Sequence, residues 1–124
     1  MTVLKEGRHP GEFIINEADG TYCREAIVIS SGAGKVEPGT VLGKITATGE
    51  YKPAAVGASD GSDKAAAINI YGVDATSADQ KVAAIVRGPA EVNGNFLVFD
   101  ASVDTAAEKA TKLAELAAIG IIVR

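Results

Sequence analysis

One cysteine, one histidine, one methionine and no tryptophan occur among these 124 residues. Cys23 has no second thiol to pair with, so an intrachain disulfide is excluded. With His9 as the sole histidine, no Cys/His set has the spacing of a zinc site. Nucleophilic catalysis lacks its usual base, because His9 falls in an N-terminal stretch broken by Gly7, Pro10 and Gly11. The sixteen carboxylates are scattered and no spacing marks an acid/base pair. The expectation is therefore no catalytic residue, no metal and no cofactor, with Cys23 an incidental or structural thiol and His9 a solvated one. Basic clusters are missing as well. Twelve Lys and Arg against sixteen Asp and Glu give a net charge of −4, which argues against nucleic acid or an anionic membrane as a partner. The apolar runs at 26–29, 117–119 and 121–123 fall far short of a membrane span, and MTVLKEGRHPGEF has no apolar signal region. A soluble protein made without a secretory signal is expected.

What the chain does have is small and β-branched apolar residues. The hydrophobic 47% includes 22 Ala, 12 Val and 11 Ile but only 5 Leu, a balance that favours strands. The length suits one domain, able to bury about two thirds of the surface its unfolded chain exposes. Short β-like runs at 25–30, 40–46, 66–71, 81–87 and 96–99 alternate with turn signals at Pro38-Gly39, Gly49, Asp60-Gly61, Gly88-Pro89 and Asn93-Gly94. That rhythm predicts a small barrel or sandwich. Residues 81–87 read as a strand on three β-branched side chains, although Ser77 to Gln80 has the form of a helix-capping box. Residues 53–64 read as a surface loop. Only 105–119 carries a helix signature: Thr105 as N-cap, Glu108 three residues on, good helix formers between, and Gly120 as the stop. Its apolar face is predicted to comprise Ala110, Leu113, Leu116 and Ala117. The apolar end Ile121-Ile-Val123 is expected to be a buried strand or an interface element.

Two motifs invite a chemical reading. In AIVISSGAGKVEPGT (26–40), Gly34-Lys35 suggests a phosphate loop. Such a loop needs G-x-x-x-x-G-K followed by Ser or Thr and a helix. Here Val36 follows the lysine and Pro38-Gly39 forbids a helix, so the glycines are assigned to a turn. Asp63-Lys64-Ala65 resembles the lysine-bearing hairpin of lipoyl carrier domains, which leaves a small β-barrel carrier or ligand-binding domain using Lys64 as the alternative function. The long 53–64 loop and the missing second half of the repeat count against it.

Residues 1–20 read as a flexible arm, with Phe13-Ile14-Ile15 as its apolar cluster, and 21–124 as the folded domain. The cluster either tucks onto its own domain or adds as a strand to another protein's sheet edge. Taken together, several pieces in order resemble one family. They are Phe13-Ile14-Ile15 with Glu17-Ala18, Arg24-Glu25, Ser31-Gly32, PGTVLGKIT (38–46), Tyr51, Asp60-Gly61, VDAT (73–76), AEVN (90–93) and LAELAAIGIIVR (113–124). From Phe13 to Arg124 the chain is similar to the head decoration protein D family of tailed bacteriophages. The resemblance implies a non-enzymatic structural protein, mainly β, with a small β-barrel-like (β-clip type) domain, one C-terminal helix and a flexible arm. It further implies a late protein, made in the host cytoplasm, that trimerises through 21–124. The trimers would sit on the outer surface of the expanded head, at three-fold and quasi-three-fold sites of the major capsid protein, and hold it against DNA pressure. The arm would be the capsid-binding element, with Glu12, Phe13, Ile14, Ile15 and Asn16 as its contact residues and Phe13, Ile14 and Ile15 as its apolar anchors.

Overall fold

In the computed structural model, which describes residues 3–124, the chain forms strands β1 (Ile14–Glu17), β2 (Arg24–Ile29), β3 (Gly34–Val36), β4 (Val41–Lys44), β5 (Tyr51–Pro53), β6 (Ala65–Asn69), β7 (Val73–Ala75), β8 (Gln80–Ile85) and β9 (Ala90–Val92). A 3₁₀ turn (Gly94–Phe96), helix α1 (Ala106–Ala118) and strand β10 (Ile121–Val123) follow. The mainly β expectation with one helix near the end of the chain is met by a closed five-stranded barrel in the order β2-β5-β4-β6-β8. β2 and β8 pair antiparallel from Arg24↔Ile85 to Ile29↔Gln80. The ring closes where Ile29 meets Tyr51 in parallel, with the Ser30 N–H donating to the Tyr51 carbonyl at 2.9 Å.

Strand alternation gives this barrel two cores. Ile27, Ile29, Leu42, Ala67, Val82 and Ala84 point inward and are closed off by Val36 and Ala75 from the β3–β7 pair. An eight-stranded barrel has an interior that side chains just fill. Five strands enclose less, which is where alanine fits. The outward faces of β4, β6 and β8 carry Val41, Ala65, Ile68 and Ile85, which pack against Phe13, Ala90, Val92, Leu116 and Ile121. β6 is thus buried on both faces, with Ala65, Ala67, Ile68 and Asn69 all inaccessible. Asn69 fits there because its Oδ1 accepts from the Thr40 N–H at 2.9 Å and its Nδ2 donates to the Tyr71 carbonyl at 2.7 Å.

Beside the barrel lies a three-stranded sheet, β1-β9-β10, antiparallel on one side of β9 and parallel on the other. The apolar end does form a strand, in which Ile121 is fully buried and pairs with Ala90 while Ile122 is exposed. The helix begins as predicted, with the Thr105 hydroxyl accepting from the Glu108 N–H at 3.2 Å. Its buried face differs from the predicted one. Leu116 is buried and Leu113 half-buried, whereas Ala110 and Ala117 are exposed and Lys112 takes the inward place. The Lys112 stem is apolar enough to be buried. Its ammonium donates to the Asp63 carbonyl and lies 3.6 Å from a Glu115 carboxylate oxygen.

Two further expectations change. Residues 96–99 make no strand; the Asn93 side chain accepts from the Asn95 N–H at 2.9 Å and winds the chain into the 3₁₀ turn. Only a single bridge, Thr40↔Val98, follows. The 53–64 loop is partly packed, with Ala54 and Ser62 buried. There the Asp60 carboxylate accepts from Lys52 Nζ at 2.7 Å, from the Ser62 hydroxyl at 2.5 Å and from the Ser62 N–H at 3.1 Å.

Gly88 and Gly120 hold the junction between the barrel and the sheet. A Cβ on Gly88 would run into the Gly120 carbonyl, and Gly120 itself has φ +89°. Gly88→Ala is expected to cost about 2–4 kcal/mol, and Phe13→Ala, at a fully buried site, about 3–5 kcal/mol. Both are read as lowered midpoints in urea unfolding with an unchanged slope. The bond from Lys52, then those from Ser62, hold the Asp60 carboxyl well below the usual carboxylate range. A depressed folded-state value stabilises fully above the ordinary range and is lost as pH falls toward it. Asp60→Asn is expected to flatten the acid limb of the stability curve below about pH 4, as measured by midpoint against pH.

Candidate functional site

The sequence-predicted residues converge on the outer edge of the β1-β9-β10 sheet, and the structure divides them. Phe13 is fully buried in the core between barrel and sheet. It therefore anchors the segment to its own domain, so of the two readings of Phe13-Ile14-Ile15 the tucked one describes Phe13. Ile14 and Glu12 are half-buried, whereas Ile15 and Asn16 are exposed, Ile15 by 54%. The register explains the difference. Ile14 pairs with Val92 and Asn16 with Glu91, so Ile15 is the extra residue of a bulge. Bulges at sheet edges re-aim a side chain, and here the side chain turned to solvent is a large apolar one.

β1 pairs with β9 alone among the described residues, so its outer edge offers unpaired backbone groups. Its far end is fixed by Arg24, whose guanidinium donates to Glu17 at 2.5, 3.0 and 3.1 Å. The hydrogen bonds to Glu17 raise the Arg24 pKa against the opposing effect of burial. Upstream, the Gly11 N–H donates to the Ile70 carbonyl at 3.2 Å. Arg8 reaches back to the Phe96 carbonyl at 2.8 Å and the Glu37 carboxylate at 3.2 Å. Ahead of that clasp, Val3 and Leu4 are exposed by 84% and 91%. Sequence reasoning passed over this pair and Arg8. The signal was two adjacent apolar residues in a polar stretch, with a cation four residues beyond.

The sheet's outward row is Asn16, Glu91 and Ile122, matched across the three strands. Arg124 Nε lies 3.0 Å from Glu91, and a shallow groove runs along this face past Pro89 and Gly120.

The chemical alternatives map to unhelpful surroundings. Gly34 and Lys35 lie in β3, opposite Ala75 and Asp74, and a strand rather than a helix follows. Lys64 is exposed but directly precedes β6 at the foot of the 53–64 loop, beside α1, where the Ala65 N–H donates to Glu115. A carrier lysine stands at a hairpin tip. Cys23 is buried with its thiol donating to the Pro89 carbonyl at 3.2 Å, and His9 is exposed, 2.7 Å from Glu6. Burial, then the neighbouring Asp79, raises the Glu50 pKa, which describes two crowded carboxyls rather than a catalytic pair. Among the described residues no cluster of three or more His, Cys, Asp or Glu could hold a metal, and no helix is long and apolar enough to cross a membrane.

No curated protein matches the chain. A family model does: that of the bacteriophage lambda head decoration protein D, over residues 3–121. The match takes in the exposed N-terminal segment, the barrel, the helix and the start of the last strand. Together with the closed β barrel and the single helix, it establishes that this chain belongs to the bacteriophage lambda head decoration protein D family.

Proposed function

We propose that the chain, a phage capsid decoration protein by family, binds as a trimer to the outer surface of the expanded head at its three-fold and quasi-three-fold sites and reinforces it against the pressure of packaged DNA. The role is structural rather than enzymatic. The observation that carries the reading is the match over residues 3–121, which spans an N-terminal segment whose apolar side chains Val3 and Leu4 have nothing to cover them within the chain's own core.

The docking element consists of residues 1–20 used in two ways. The part from Val3 to Gly7 is the free arm. The part from Glu12 to Asn16 is its root, in which Phe13 is the inward anchor, Ile14 the packing residue, and Ile15 with the open β1 edge the outward surface. A strand supplied by the major capsid protein would satisfy that edge with main-chain hydrogen bonds. Ordering the free arm costs conformational entropy, so one arm binds weakly. Three arms on a trimer raise the effective concentration of the second and third and make the whole attachment tight. A three-fold oligomer also matches a three-fold lattice position. The carrier alternative using Lys64 has no observation in its favour beyond three residues of local likeness.

Deleting residues 2–7 tests this reading. The cut stops short of Arg8 because Phe13 and β1 belong to the core. The shortened protein is expected to sediment as a trimer, three times its own chain mass, with an unchanged unfolding midpoint. It is expected to lose at least about tenfold in affinity for expanded heads, the equivalent of about 1.4 kcal/mol. Ile15→Asp should weaken binding in the same direction while leaving the trimer intact. Normal decoration by both variants would remove the N-terminal segment from the binding site.

A further inference from the structure

Asn93-Gly94 is a pair whose backbone chemistry is under structural control. In an unrestrained chain, a glycine amide following asparagine is the least hindered nucleophile toward the side-chain amide. Here both residues have a place in the fold. Asn93 Oδ1 caps the 3₁₀ turn by accepting from the Asn95 N–H at 2.9 Å. A Cβ on Gly94 would meet the Val123 side chain at 2.9 Å. The fold therefore holds a labile dipeptide between its first and last strands. The Asn93 N–H donates to the Phe13 carbonyl at 2.7 Å, and the Gly94 N–H to the Arg124 carbonyl at 3.0 Å.

These contacts act oppositely on the two reacting groups. The Asn95 N–H sits on the carbonyl oxygen that would become negative if Asn93 Cγ were attacked, the arrangement that stabilises a tetrahedral oxyanion. The nucleophile is masked: to attack, Gly94 N must shed the proton that it shares with Arg124. From this we infer that Asn93 is a latent self-modification site gated by the last strand. When β10 and Arg124 detach, Gly94 N loses its proton to solvent base and attacks Asn93 Cγ. The Cγ–Nδ2 bond breaks, ammonia leaves with a proton from water, and a succinimide joins the two residues. Water then opens the ring at either carbonyl, giving aspartate or an isoaspartyl linkage. No oxidant or cofactor is needed. The isoaspartyl product lengthens the backbone by one methylene between the residue tied to Phe13 and the residue tied to Arg124, so modification loosens both strands that flank β9. The inference stands on these contacts and is independent of what the protein binds.

The test is mass spectrometry of peptides from protein incubated at mildly alkaline pH, scoring conversion at Asn93 against Asn16, Asn69 and Asn95, which precede Glu, Ile and Phe. Asn93 in the intact native chain is expected to convert at least about tenfold more slowly than in urea-unfolded chain, since closure of one strand end by about 1.4 kcal/mol is tenfold in rate. A chain ending at Val123, which lacks the acceptor, is expected to convert at least about tenfold faster than the intact chain. A second measurement needs no variant. In the intact protein, conversion at Asn93 and hydrogen exchange at the Gly94 amide should rise together across sub-denaturing urea. Equal rates in native and unfolded chain, or conversion that climbs while the Gly94 amide stays protected, would overturn the gate.

Discussion

Everything in this fold depends on β6 being buried on both faces. Ala67 faces into the barrel while Ala65 and Ile68 face the outer core, where Phe13, Leu116 and Ile121 meet them. The barrel, the three-stranded sheet and the helix are therefore not separate layers joined by loops. They share one wall. Because that wall carries alanine at its tightest points, the spacing between the barrel interior and the outer core is set by residues with no rotamers to adjust. The polar groups caught in it, Asn69 and the Lys112 ammonium, are each bonded to backbone carbonyls or amides, as burial requires.

The barrel strands and the helix were legible in the sequence because their signals are local. β2, β4, β6 and β8 lie within two residues of the runs read from β-branched content, and Thr105 with Glu108 marked the helix start. Strands of three residues, such as β3, β5, β7 and β9, gave too few alternations to register. β6 could not show an in-and-out pattern, since both of its faces are in. Lys112 was not counted in the predicted apolar face, although its four-carbon stem and two oxygen partners put it in the core. The 96–99 run had strand composition, but the Asn93 cap, a side-chain bond to the backbone two residues on, took precedence over propensity.

For the candidate site, sequence composition located the region and missed the division of labour inside it. A polar, Gly- and Pro-broken stretch with one apolar cluster reads as an arm, and its composition leaves open whether that cluster tucks inward or reaches outward. The burial of Phe13 is a tertiary fact, set by Gly39 and the outer core around it, and no feature of residues 1–20 reveals it. The bulge that frees Ile15 is likewise a property of the pairing with Glu91 and Val92. The result is a short segment in which Phe13 fastens the domain while Ile15, two positions on, is left exposed.

The arrangement of β1-β9-β10 has a consequence in time. Its three strands come from residues 14–17, 90–92 and 121–123, and the β1–β9 pairing, which joins Ile14 to Val92, spans more of the sequence than any strand pairing in the barrel. Such contacts form late, because loop closure must precede them. The barrel can close once Ile85 has been made. β1 has no partner until β9 appears, and β9 lacks its second neighbour until Val123 follows. The edge that carries Ile15 thus takes shape late in folding, and a chain stalled before that point leaves the outer core around Phe13 and Ile121 uncovered. Order of synthesis becomes a form of quality control.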